Sequence, residues 1–215
     1  MKKTMYAAFM FAALMMTACK SGEETKEETT AEEPKVEETT YSLVKEESKL
    51  DWTGSWVKPT EDGMKETTKN HKGFVEFSDG TVTVKEDDVM GNFTVDMTTI
   101  TVTDLGEEEG KLKLEGHLRQ PDFFNVKDYS TVKVDLMDIQ DGNANIVIKV
   151  MGKEITTSVP VTTKTEGDKM MLKGDFTVDF SPLEMPMTQP NPEKPEEGHV
   201  SPKVDFSLNA VLKKK

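Results

Sequence analysis

Cysteine is almost absent: Cys19 is the only one in 215 residues, so no intramolecular disulfide, paired-thiol redox centre or cysteine-rich zinc site can be built. Histidine is nearly as scarce. His71, His117 and His199 lack the short spacings of zinc or metalloprotease sites, read as surface or turn residues, and give no expectation of a bound metal. No stretch stays apolar over the ~20 residues that a membrane-spanning helix needs. There is no glycine-rich phosphate loop and no nucleophile elbow. EEEG at 107–110 lacks the ligand spacing of a calcium loop, and acids such as EDD at 86–88 follow turns and strand exteriors. Positive charge is in deficit: the net charge of −13 repels nucleic-acid phosphates and argues against a nucleic-acid partner. Together these gaps predict a protein that is not an enzyme and carries no cofactor.

The two ends of the N-terminal region are distinct. MKKTMYAAFMFAALMMTAC places Lys2 and Lys3 before an apolar run through Met16, with small residues before Cys19, which is the layout of a secretory signal peptide. MTAC resembles a bacterial lipobox, with Ala18 at the cleavage position and Cys19 as the lipidated (palmitate-bearing) residue; an unpaired cysteine beside an ordinary cleavage site is the plainer alternative. Residues 1–18 are therefore read as a lipoprotein signal peptide. Their removal deletes Lys2 and Lys3 and no acid, taking the charge from −13 to −15. An acidic body then depends on its acyl chains to stay at a membrane, and two or more chains suffice where one is marginal. Residues 19–40 include the Glu/Thr-rich run KSGEETKEETTAEEPKVEETT, too polar to offset chain entropy, and are expected to form a disordered acidic tether. A lysine followed by acids behind a lipidated cysteine also resembles the surface-export signal of Bacteroidetes lipoproteins, although Ser21 and Gly22 separate Lys20 from Glu23 here. The expected location is the cell envelope, with Cys19 as a membrane anchor at the outer membrane on its periplasmic side or at the cell surface.

From Tyr41 onward hydrophobicity alternates with period two. Leu50, Trp52 and Trp56 share a face, as do Phe93, Val95 and Met97; the face then switches to Ile100 and Val102, which predicts a bulge near Thr98 and Thr99. Further alternating runs hold Val132 to Leu136, Ile146 to Val150, Ile155 to Val161, Leu172 to Phe180 and Val204 to Leu212. SDG at 78–80, QDGN at 140–143, MGK at 151–153 and EGD at 166–168 read as the turns between them. Residues 41–215 thus predict an all-β domain of antiparallel strands, about eight in number, closed into a barrel to protect its edges. One short helix interrupts it, with Leu114 and Leu118 on one face and Lys111 paired four residues from Glu115, ending before Pro121. SPLEMPMTQPNPEKPEEGH at 181–199 is too proline-rich for either element and reads as a long exposed loop.

The line HLRQPDFFNVKDYSTVKVDL resembles the signature of the YceI-like family of lipocalin-like polyisoprenoid-binding domains. SKLDWTGSWV, HKGFVEFSDG, NFTVDMTTITVTDL and NIVIKVMGKEITTSVPV resemble further family segments in the same order, and the resemblance covers roughly 41–215. It implies a lipocalin-like antiparallel barrel around an elongated apolar pocket, with a long-chain isoprenoid or similar amphiphile as partner. Where the family commonly carries an arginine after the penultimate long strand, this chain has VDFSPLEMPM. Candidate lining residues, chosen as large side chains on the inward face, are Trp52, Trp56, Phe93, Val95, Met97, Phe176, Val178, Phe180 and Phe206. Phe123 and Phe124 are expected to plug the junction where the helix covers one barrel end, and join the candidate ligand contacts. Two functions follow: sequestration or transport of the lipid in the cell envelope, or a structural or interaction lipoprotein whose barrel is solid and whose 181–199 loop binds protein. A homodimer is compatible with either.

Overall fold

A computed structural model describes residues 37–60, 62 and 65–215. The expected signal peptide, the lipidation site Cys19 and most of the tether lie outside the described residues. Of the tether only 37–40 are described, and strand β1 (Glu38–Leu43) already begins there. It is followed by β2 (Lys49–Pro59), β3 (Lys65–Lys85), β4 (Asp88–Val102), α1 (Lys111–Leu118), β5 (Thr131–Gln140), β6 (Asn143–Val150), β7 (Lys153–Pro160), β8 (Thr162–Glu166), β9 (Lys169–Asp179), β10 (His199–Val200) and β11 (Lys203–Lys214).

These strands make an antiparallel barrel of eight staves. β1 and β2 form one stave, interrupted by a 3-10 turn at Lys45–Glu47; both halves pair with β3 on one side and β11 on the other. β3, β4, β5 and β6 follow as a meander. β7 and β8 are a second bent stave, turning at Pro160 and Val161: β7 pairs with β6, and β8 with β9. β9 then pairs with β11 along nearly its whole length, which returns the sheet to its first stave. The last joint is hydrogen-bonded along β8, whereas β7 and β9 share no ladder among the described residues.

Local sequence accounts for the turns. The β5–β6 and β6–β7 hairpins put Asp141–Gly142 and Met151–Gly152 at positive φ in both central positions, the geometry whose twist matches flanking strands and favours glycine second. The bulge expected near Thr98 and Thr99 is present. Pairing steps from Phe74↔Thr101 to Glu76↔Asp96, and Thr99 Oγ1 accepts the Glu76 N–H at 2.8 Å. SDG at 78–80 is not a turn. The chain runs through it inside β3, and the extra residue is absorbed as a register shift between Phe77 and Asp79.

α1 covers one barrel end. The four-residue spacing predicts Glu115 beside Lys111; instead Glu115 is 7% exposed, and its Oε1 accepts the Val102 N–H at 2.9 Å. Val102 pairs with Gly73 of β3, but β5 runs beside β4 only from Gly91 to Asp96, so the helix supplies the acceptor for the Val102 N–H and is pinned by it. Glu115→Ala should therefore cost about 1–3 kcal/mol through a stranded buried N–H, read as a lower urea midpoint at unchanged m. Glu115→Gln, which keeps an acceptor, should cost less.

The 181–199 segment is not simply exposed. It winds through 3-10 turns at Ser181–Leu183, Pro186–Thr188 and Pro195–Glu197, and buries Leu183, Met185, Thr188 and His199. Lys153 Nζ at the start of β7 holds its first turn through the Pro182 and Leu183 carbonyls, at 3.0 and 3.2 Å.

Candidate functional site: an apolar cavity along the barrel axis

The inward faces of the staves do not fill the barrel. They enclose a cavity of about 210 Å³ that extends from Ile139 and Ala144, near the β5–β6 hairpin, to Leu118, Phe123 and Met185 under the helix and the 181–199 segment. An eight-stranded barrel is close to the width at which side chains either fill the interior or leave room for one slender ligand.

One wall is aromatic. Phe124 meets Phe180 edge-on at 6.2 Å, Phe180 meets Phe206 at 6.2 Å, and Phe206 lies 6.0 Å from Phe176. Phe93 and Phe77, with ring centroids 5.9 Å apart, add to the lining from β4 and β3. Val95, Met97 and Val178 also line the cavity. Thus every candidate lining residue except Trp56 borders it. Trp56 has the right parity but sits beyond the cavity: it pairs with Val200 of β10, and its indole N–H donates to the Glu197 carbonyl at 3.1 Å. A register shift between Trp56 and Val57 ends the inward alternation there.

Among the described residues, the lining holds no charged side chain. Three of its side chains carry an N or O atom. Thr188 Oγ1 donates to the Met185 carbonyl at 2.8 Å, and Ser201 Oγ accepts the Lys203 N–H at 3.1 Å, both near the end covered by the 181–199 segment. The third is Trp52, whose Nε1 is buried and has no hydrogen-bond partner among the described residues. Of the methionines, Met97 and Met185 line the cavity, whereas Met90 and Met137 are exposed. Met185 had no sequence signal, because the proline-rich segment has no period from which a buried position could be read. Leu50, Val204 and Leu208, in contrast, share the inward parity of Trp52 and Phe206 and line the cavity beside them.

The histidines lie outside the lining. His71 Nδ1 is 3.0 Å from Asp104 Oδ2, and His117 Nε2 is 2.9 Å from Asp122 Oδ2. His199 is 5% exposed and lies in β10, a correction to its reading as a surface or turn residue, because β10 pairs it with Val57 of β2. Burial of Asp104 works against its ionisation. The Lys72 N–H and the His71 ring outweigh burial and hold its carboxyl below the ordinary value of 3.8. A depressed folded pKa contributes stability that is whole above the unfolded value and is lost as pH falls through the folded one. The Tm gap between the wild type and Asp104→Asn should therefore be widest near neutral pH and close as pH drops below 3.8. A gap independent of pH would mean that charge at Asp104 contributes nothing.

The YceI-like domain family matches residues 41–212. Among solved structures, a polyisoprenoid binding domain from Saccharophagus degradans implicated in plant cell wall breakdown is similar with a TM-score of 0.54 at 13% identity, covering 81% of this chain and 98% of that one. Burkholderia cenocepacia BcnA is similar with a TM-score of 0.48 at 16% identity, covering 79% of this chain and 98% of that one. No curated protein matches.

Proposed function

The chain belongs to the YceI-like domain family, and from that membership and the cavity's chemistry we propose that it binds a long-chain isoprenoid or similar amphiphile inside the barrel. Its role is to sequester or carry that lipid in the cell envelope, held at a membrane through lipidated Cys19. The observation that carries the proposal is a cavity inside the barrel whose walls are almost wholly hydrocarbon, thioether and aromatic ring, without one charged group among the described residues. Such a site gains from removing chain surface from water, at about 25 cal/mol per Å² before ordering losses. Met97 and Met185 add flexible, polarizable walls that adapt to a branched chain. The protein is proposed as a binding module with no catalytic step. Its location follows from the N-terminal reading: the periplasmic side of the outer membrane or the cell surface.

The test is organic extraction and mass spectrometry of the exported chain carrying Cys19→Ser, which removes the proposed lipidation site. A prenyl-type lipid should co-purify, or be taken up when added. Gly54→Leu should weaken this. Gly54 lines the cavity, and a Cβ there would meet only the Trp52 ring, at 3.9 Å, so the added side chain starts into lipid space with its Cβ unobstructed by backbone. Uptake should drop about tenfold or more while Tm holds within about 2 °C, roughly 1 kcal/mol. If the unsubstituted barrel takes up no lipid, the reading is wrong and function moves to the protein's surface.

A further inference from the structure

The two ends of the barrel interior differ. Where β3 turns into β4 the interior is solid: Tyr41, Val82, Met170 and Leu212 are buried, and none of the four borders the cavity. Val82 and Leu212 have no exposed surface at all, so no void reaches them. The four interlock across neighbouring strands, with Tyr41 opposite Val82 and Leu212 opposite Met170. A layer packed to that density passes no hydrocarbon chain. The cavity reaches towards this plug on the β5–β6 side and stops there in a corner. Ile139 and Ala144 are the last lining side chains of β5 and β6 before the Asp141–Gly142 turn. The Val161 N–H donates to the Gly142 carbonyl at 2.8 Å and ties that turn to the bend between β7 and β8. Ala144 stands between Ile139 of β5 and Val159 of β7, and among the described lining residues of this end it alone presents only a methyl group. The other lining residues of β6, Ile146, Ile148 and Val150, are β-branched, as strands favour, so alanine forgoes both propensity and packing and leaves depth in the corner.

Resting on the proposed lipid-binding role, we infer that Ala144 is a specificity-determining residue: the tip of the bound chain stops against it, and its depth sets the longest chain the barrel takes in fully. The plug closes one end, so the chain enters from the end covered by α1 and the 181–199 segment. It enters tail first. The two lining hydroxyls, Thr188 and Ser201, lie at the covered end, whereas the corner around Ala144 is hydrocarbon and would desolvate a polar head without compensation. A chain longer than the cavity keeps its surplus at the covered end and gains nothing more from the corner.

The experiment titrates the exported Cys19→Ser chain with straight-chain primary alcohols from octanol to octadecanol, read by calorimetry. Each added methylene should tighten binding about fourfold until the tip meets Ala144, beyond which affinity should stay level. Ala144→Leu should bring that plateau about three carbons earlier, the number leucine adds to alanine. Alcohols shorter than the new limit should bind within about twofold of the wild type. Ile139→Ala empties the same corner and should move the plateau to longer chains, which keeps the test decisive if leucine at 144 impairs folding. Affinity that climbs without a plateau in the wild type, a plateau that neither variant moves, or an Ala144→Leu protein that weakens every length equally overturns this inference and leaves the lipid-binding reading standing. Binding of no alcohol also overturns it, and takes the lipid-binding reading with it if an added prenyl-type lipid is refused as well.

Discussion

Replacing Gly73 by alanine is expected to destabilise the barrel by about 3 kcal/mol or more, at the upper end of what overpacking costs, and to lower Tm by roughly 6–12 °C. Gly73 sits in β3 between Trp52 of β2 and Val102 of β4. A Cβ there would fall 1.9 Å from the Thr101 carbonyl oxygen and 2.4 Å from Trp52 Cζ2. The first obstacle is backbone, and it can yield only if β3 and β4 part. The second is a packed ring that can yield only by swinging into the cavity. Either response shows in a measurement: parting the strands lowers the unfolding midpoint, and a displaced indole occupies lipid space and reduces uptake. Gly54 lies on the neighbouring strand and has the opposite character, because a Cβ there makes only an ordinary contact with the Trp52 ring, at 3.9 Å. Gly73→Ala should therefore lower stability, while the far larger Gly54→Leu should lower uptake alone. A Gly73→Ala protein melting within about 2 °C of the wild type, under 1 kcal/mol, would mean that the indole does not rest on this backbone.

The same pair of glycines shows what was legible in the sequence. Period-two alternation was enough to place Trp52, Phe93, Val95, Phe176 and Phe206 on inward faces, because a strand with one wet side has only two faces to choose between. It could not see where a barrel ends. Trp56 continues the parity of Trp52, but the rim and the register shift after it lie in the third dimension, and there the indole turns to the Glu197 carbonyl. Alternation also cannot tell a turn from a bulge when both use Ser-Asp-Gly, so the sequence predicts a turn at 78–80 where β3 runs on. On α1, spacing put Lys111 and Glu115 together. What decides Glu115 is the Val102 N–H at the end of β4, which lies past the reach of β5, a demand made by another element entirely. Met185 and His199 belong to a segment with no period, and their burial comes from where Lys153 and β2 hold that segment.

Phe123→Ala should cost roughly 3–5 kcal/mol and Phe124→Ala roughly half as much, a difference that neighbouring, chemically identical residues would not show on propensity alone. Pro121 and the Gln120 carbonyl shape the exit from α1: the Phe123 and Asn125 N–H groups both donate to that oxygen, at 3.0 and 2.9 Å. This tight turn points the two rings differently. Phe123 is 5% exposed and lies edge-on to His117 at 5.3 Å, under the helix. Phe124 is only partly buried and begins the aromatic wall that runs through Phe180 to Phe206. Loss of the Phe123 ring enlarges an existing void whose strands cannot close in, so the penalty is not relieved by collapse. Loss of the Phe124 ring removes less buried surface but shortens the wall a lipid would lie against. Urea unfolding should thus rank Phe123→Ala as the less stable variant at an unchanged m-value. Lipid uptake, measured well below the unfolding midpoint, should still be weakened by Phe124→Ala. Equal and small stability losses, under about 1 kcal/mol each, would show that neither ring holds the helix on the barrel. The paired phenylalanines would then serve the lipid alone, and the closing of that barrel end would rest on Glu115 and the segment held by Lys153.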